Sequence, residues 1–352
     1  MKRKILIFVQ DAVGGAERMS ILIGKNLDPE KHDVWFCVVE NTAKSSIADF
    51  IPEGMRIKHI PNKNPLQLMW SMVTLIIKEK PYIIFSSVFN LSNKFLPFRR
   101  LFPKVKVIIR CDNYLYTYNE KQQKMIRKLY PKADCIIAQT EEMRNELLPL
   151  RGIDASKVIS LHNPIDVQTI DDILIGANNP YKHDSTIKYI ASGRFSYQKG
   201  YDMLAEAFAI VCQSNPASEL YILGDTSMED GKPYEDMLQI AKEKGIADKI
   251  HCMGYKKNPY PYIKYADCFV LSSRWEGLPN VLIESLYLGT PAAAFKCIPI
   301  IERIIDEGKT GFCAEKGNVQ SLAESMIRAA NLGAIQSTYK SSSITDFTKL
   351  FE

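Results

Sequence analysis

No stretch of this 352-residue chain has enough consecutive apolar residues to cross a bilayer. About 20 are needed, and the longest run, 68–77, is interrupted by Ser71 and Thr74 and stopped by Lys78. A signal peptide is not expected either, since Met1-Lys2-Arg3-Lys4 leads into a short apolar run that ends at Gln10. The eight cysteines show no Cys-x-x-Cys spacing and read as reduced core residues of a cytoplasmic protein. The five histidines are scattered, without the spacing of metal ligands. No Asp-x-Asp pair occurs, and the glycines after the first strand fall short of Gly-x-Gly-x-x-Gly, which argues against bound NAD. A net charge of +5, with no nucleic-acid motif, gives no case for a nucleic-acid partner. The expectation is an enzyme or binding protein that needs no metal or cofactor.

Strand-like and helix-like runs alternate along the chain. Strands are predicted over 4–9, 34–39, 83–86, 105–110 and 135–138, then over 187–191, 220–223, 250–253, 268–271 and 292–295. Helices are predicted over 16–26, 66–79, 118–129 and 201–211. Such alternation argues for βα units and parallel sheets. A polar stretch over 163–185 breaks the rhythm and reads as a linker between two Rossmann-like α/β domains. The domains are set at 1–167 and 168–335, with a tail, 336–352, that can pack back on the first.

The most informative segment is Glu276-Gly-Leu-Pro-Asn-Val-Leu-Ile-Glu284. Pro279 and Asn280 are helix start signals, and Gly289 with Pro291 ends the helix. Glu276 then lies in the preceding loop and Glu284 about one turn inside. Free backbone N–H groups between the two glutamates offer a seat for phosphate, with Leu278, Pro279, Asn280 and Val281 as the donor-binding segment. A carboxylate can accept two hydrogen bonds from a vicinal diol. Upstream, Gly193-Arg194 and Gln198-Lys199-Gly200 lie between a strand and a helix, a layout that presents cations to a diphosphate. Arg, Lys, an anion seat and diol readers together suggest a sugar nucleotide.

The order G-R-F-x-x-Q-K-G, then E-G-L-P-N-V-L-I-E-S-L-x-L-G-T-P, resembles the family 4 retaining glycosyltransferases. Gly14-Gly15-Ala16-Glu17-Arg18 and the hinge-like Asn163-Pro164-Ile165-Asp166 are similar in position and character. The resemblance implies the GT-B fold, two Rossmann-like domains with parallel sheets facing each other across a cleft. It further implies a retaining, metal-independent hexosyltransferase in surface polysaccharide biosynthesis, with a nucleotide-sugar donor, UDP-linked as first choice, and a glycan or lipid-linked glycan acceptor. Arg194 and Lys199 would neutralise the leaving diphosphate, Glu276 would face the hexose and Glu284 the ribose. Gly14, Gly15, Gly193 and Gly224 would approach the donor.

The chain departs from the family pattern in three places. Arg110-Cys111-Asp112-Asn113 stands where many relatives carry a His, and Asp112 either handles the acceptor hydroxyl or caps a turn. Gly224-Asp225-Thr226 replaces Gly-x-Gly, and Lys296-Cys297-Ile298-Pro299 lacks the glycines common there. In 94–110, basic residues alternate with Phe95, Leu96, Phe98, Leu101 and Phe102. That pattern suits either peripheral contact with the anionic inner leaflet or a packed loop with a solvated rim. Two other functions stay open: a nucleotide-sugar epimerase or hydrolase on the same scaffold, and a non-catalytic glycan-binding subunit.

Overall fold

The computed structural model describes residues 2–40, 47–181, 185–226 and 231–352. They fall into two units, Met1–Pro164 with Ser341–Glu352, and Ile165–Lys340.

In the first unit the apolar runs become parallel strands covered on both faces, which is why they read as continuous rather than alternating. β1 (Arg3–Gln10), β2 (His32–Val39), β3 (Arg56–Ile60), β4 (Ile83–Ser86), β5 (Lys106–Arg110), β6 (Cys135–Ala138) and β7 (Val158–Ser160) form one sheet in the order 3-2-1-4-5-6-7. Every pairing is parallel. The connections carry α1 (Gly15–Lys25), α2 (Pro65–Glu79), α3 (Phe89–Phe95), α4 (Glu120–Leu129) and α5 (Glu141–Leu147). Asn64 and Asn119 cap α2 and α4 through their side chains.

The second unit opens on α6 (Val167–Leu174). Asp166 caps this helix, so the unit begins at Ile165 rather than at the expected 168. The supposed linker over 163–185 is thus helical in its first half, and three of its residues, 182–184, lie outside the described residues. β8 (Ile187–Ser192), α7 (Tyr201–Ser214), β9 (Ser218–Leu223), α8 (Lys232–Glu243), β10 (Ile250–Cys252), α9 (Tyr260–Lys264), β11 (Cys268–Leu271), α10 (Asn280–Tyr287), β12 (Ala292–Phe295), α11 (Ile301–Ile304), β13 (Gly311–Ala314) and α12 (Val319–Ala330) follow. Their sheet runs 10-9-8-11-12-13, again wholly parallel.

The tail returns to the first unit from residue 341, not 336. It carries α13 (Ile344–Thr348), and Phe347 and Phe351 are fully buried in that unit's core beside Ile5, Ile7 and Phe85.

The segment 94–110 is mostly packed, the second of the two readings, with Leu101 left exposed. Phe95, Leu96 and Phe102 are buried, with Phe95 stacked on Phe8 at 5.7 Å. Arg99 is tied to Asp134 at 2.9 Å, and Lys106 donates to the Leu350 carbonyl at 2.7 Å. Among the described residues no helix is long and apolar enough to cross a membrane.

Candidate active site

The sheet of the second unit reverses its strand order between β8 and β11. Loops leaving the C-terminal ends of two such strands diverge and leave a crevice, the usual seat of ligands in open α/β sheets. Here those loops are 193–200 and 272–279. They carry the predicted Arg194, Lys199 and Glu276.

Lys199 Nζ donates to Glu276 Oε1 at 2.7 Å, and Ser273 Oγ donates to the same oxygen at 2.6 Å. The two charged side chains are only 18% and 9% exposed, so the pair is largely shielded from solvent screening. Glu276 Oε2 has no hydrogen bond among the described residues. Gly193 brings its backbone close enough that an added Cβ would meet Lys199 Cε at 2.8 Å. Arg194 is exposed and makes no hydrogen bond or ion pair among the described residues. It is a cation without an internal counter-charge.

The two loops are stitched together. Ser272 Oγ donates to the Lys199 carbonyl at 2.9 Å, Gln198 Nε2 to the Trp275 carbonyl at 2.9 Å, and the Arg274 amide to the Gln198 carbonyl at 2.7 Å. Arg274 also forks onto Asp202 of α7, at 2.9 and 2.5 Å, and lies over the Tyr197 ring. Although burial pushes the Asp202 carboxyl up, the Arg274 guanidinium holds it below its ordinary value. Gly224, after β9, passes so close to the Gly193 carbonyl that a Cβ would sit 1.9 Å from it. Its place is therefore beneath the Gly193-Arg194 turn.

α10 starts at Asn280 with Pro279 as its N-cap, as the sequence predicts. The Leu282 amide bonds back to the Pro279 carbonyl, while the Val281 amide has no acceptor among the described residues. Leu278 and Pro279 are buried, and Glu284 is half-buried one turn into the helix. In the loop after β12, Lys296 pairs with Glu302 at 3.0 Å.

The remaining predicted residues belong to the first unit. Gly14 is the N-cap of α1, and Gly15 begins it, at the C-terminal end of β1, where that sheet also reverses order. Asp112 follows β5 and accepts a hydrogen bond from Tyr118 Oη at 2.5 Å. Burial raises its pKa, and the Tyr118 bond opposes the rise. Below it, Arg110 is buried, donating to Gln139 Oε1 at 2.6 Å and to Asn163 Oδ1. Burial draws the Arg110 pKa down to about 10, with the Asp112 charge working against that shift. A cavity of about 10 Å³ between Cys111, Tyr118, Tyr130 and Glu146 has room for about one water, not a sugar.

Sequence reading missed Ser272, Ser273, Arg274 and Asp202 in the second unit, and the Arg110–Gln139–Asn163 network in the first. The signal for the former was present. Ser-Ser-Arg directly follows a predicted strand, at the sheet edge where ligands bind. Among the described residues no cluster of three or more His, Cys, Asp or Glu is arranged to hold a metal.

Comparison with known proteins bears on the family and the fold. A curated relative from Methanocaldococcus jannaschii, an uncharacterized glycosyltransferase, is 29% identical over 62% of this chain and 52% of its own length. Another, from Campylobacter jejuni, is 25% identical over 63% of this chain and 57% of its own. Its name is N-acetylgalactosamine-N,N'-diacetylbacillosaminyl-diphospho-undecaprenol 4-alpha-N-acetylgalactosaminyltransferase. The chain thus spans about half the length of these two relatives. The crystal structure of HepE from Anabaena with UDP and glucose superposes with a TM-score of 0.79 at 17% identity, over 99% of this chain and 98% of that one, a likeness of fold: GT-B. Family models described as Glycosyltransferase Family 4 and Glycosyl transferases group 1 match residues 13–169 and 178–341. With both halves matched in order, the chain belongs to the group 1, family 4 glycosyltransferases.

Proposed function

We propose that this glycosyltransferase moves a hexose from a UDP-sugar to a glycan or lipid-linked glycan acceptor in surface polysaccharide assembly. The transfer proceeds with retention and without a metal ion or organic cofactor. The Lys199–Glu276 pair carries the reading: a shielded cation at 2.7 Å from a carboxylate, at the point where the strand order reverses. As the anomeric C–O bond breaks, negative charge grows on the departing phosphate oxygen. Groups already aimed there need no reorganisation and so lower the barrier. Lys199 and the unengaged Arg194 supply two positive charges, and the Val281 amide adds a donor at the positive end of α10. Glu276 holds Lys199 through Oε1 and keeps Oε2 for a sugar hydroxyl. In this reading Glu284 binds the ribose diol and Asp112 handles the acceptor hydroxyl.

The relatives favour the same details. The Campylobacter name specifies an α-linked sugar added to a glycan on diphospho-undecaprenol, and the HepE crystal contains UDP and glucose. An α-product is what retention yields from an α-linked donor.

Steady-state transfer from a panel of UDP-, GDP- and ADP-sugars, with chelator present, tests the reading. A charge-assisted hydrogen bond is worth roughly 1.5–3 kcal/mol, so Lys199→Ala should lose about tenfold to a hundredfold or more in kcat. Near-normal turnover in that variant, or strict dependence on added magnesium or manganese, defeats it. Nucleotide release at full rate without any acceptor points instead to a hydrolase or epimerase.

A further inference from the structure

Lys199 and Glu276 stand on loops 77 positions apart, and both side chains are flexible. A 2.7 Å contact between them requires that both backbones be fixed. Arg274 is the side chain that grips both sides of this joint. Its Nη1 donates to the Tyr197 carbonyl at 2.8 Å and to Asp202 Oδ1 at 2.9 Å, and its Nη2 to Asp202 Oδ2 at 2.5 Å. Its backbone amide reaches the Gln198 carbonyl at 2.7 Å, and its guanidinium lies 3.9 Å from the centre of the Tyr197 ring. Positions 197, 198 and 202 bracket Lys199 on both sides. Among the described residues no hydrogen bond joins Arg274 to Lys199 or Glu276 themselves.

The crevice thus holds two arginines with opposite commitments. Arg194 is exposed and has no internal counter-charge among the described residues. Arg274 is 19% exposed and neutralised by Asp202, so it is not a further cation for a diphosphate. Its planar fork matches a carboxylate through two parallel bonds, which fixes an angle as well as a distance. Asp202 lies in the first turn of α7, so the fork ties the 272–276 loop to a helix and not merely to another loop. Lysine, a point charge, cannot hold both oxygens and the Tyr197 carbonyl in that geometry.

We propose that Arg274 is a positioning residue for sugar transfer: its fork onto Asp202 holds the 272–276 loop against α7 and so keeps Lys199 on Glu276. The catalytic consequence rests on the charge-neutralising role proposed for Lys199, whereas the clamp itself does not.

Two measurements separate these parts. The first is competitive acetylation of the full chain with acetic anhydride, read by mass spectrometry of the Lys199 peptide. Arg274→Met, Arg274→Lys and Asp202→Asn should each raise Lys199 labelling about fivefold, the scale of coupling between contacting residues. Lys106, in the other unit, should keep its parental rate in all three, which shows that the variants remain folded. Unchanged Lys199 labelling in the three variants overturns the clamp. Parental labelling in Arg274→Lys alone assigns Arg274 a role by charge and overturns the fork. The second measurement is kcat for transfer in a double-mutant cycle. Arg274→Met should lower kcat about tenfold in the parent but less than about twofold in Lys199→Ala, because Arg274 acts through Lys199. Equal losses in both backgrounds overturn that route. Near-normal turnover in Lys199→Ala alone defeats the proposed chemistry, and the labelling still decides the clamp.

Discussion

At Asp112 opposing influences set one proton equilibrium. Burial raises the carboxyl's pKa, and the hydrogen bond from Tyr118 lowers it. Removing the phenol in Tyr118→Phe leaves burial unopposed by that bond, so the pKa should climb further. If Asp112 accepts the acceptor's proton it must be ionised to work, and activity falls as pH drops through its pKa. The acid limb of kcat/KM should therefore move to higher pH in Tyr118→Phe. A limb that stays in place would assign Asp112 to turn capping. The sequence presented both roles side by side, because it shows that a carboxylate follows a strand but not what donates to it. Lys199 and Glu276 were legible for the opposite reason: their types and order point to one chemistry. Arg110 was not, since its partners Gln139 and Asn163 are 29 and 53 positions away.

Among the elements, the strands read correctly from sequence are mostly central ones, where both faces are buried and the apolar run is unbroken; β10 is the one edge strand also read. Those missed, β3, β7 and β13, are sheet edges. Four of the five residues of β3 are exposed, so hydrophobicity could not mark it. The joint between β8 and α7 shows how a local conformation positions chemistry. Gly200 has φ +64°, a left-handed backbone that L side chains resist, and a Cβ there would lie 2.3 Å from the Ser272 carbonyl oxygen. Gly200→Ala must strain this turn or push the 272–276 loop away from Lys199. The left-handed conformation alone costs about 1–2 kcal/mol. A lower melting temperature and a raised KM for the donor should appear together. A variant with parental values for both would show that the two loops need not be held in register.

At the scale of the whole chain, the first unit is discontinuous. Residues 165–340 intervene before 341–352 complete it. The sequence could name Phe347, Leu350 and Phe351 as apolar residues in a polar tail, but contacts as far apart as 244 positions leave no local pattern. Phe351 meets Phe85 edge-on at 5.5 Å, and Lys106 holds the Leu350 carbonyl. The tail is thus core material and not an appendage. Truncating a buried phenylalanine typically costs about 3–5 kcal/mol, a large part of one unit's stability. Phe347→Ala should then accelerate amide hydrogen exchange in β1 and β4, which line that core, well beyond any change in β8 and β11. The comparison between units is what makes the outcome specific. Uniform acceleration would mean that the units unfold as one, and exchange unchanged in β1 would mean that the first unit's core holds without its last helix.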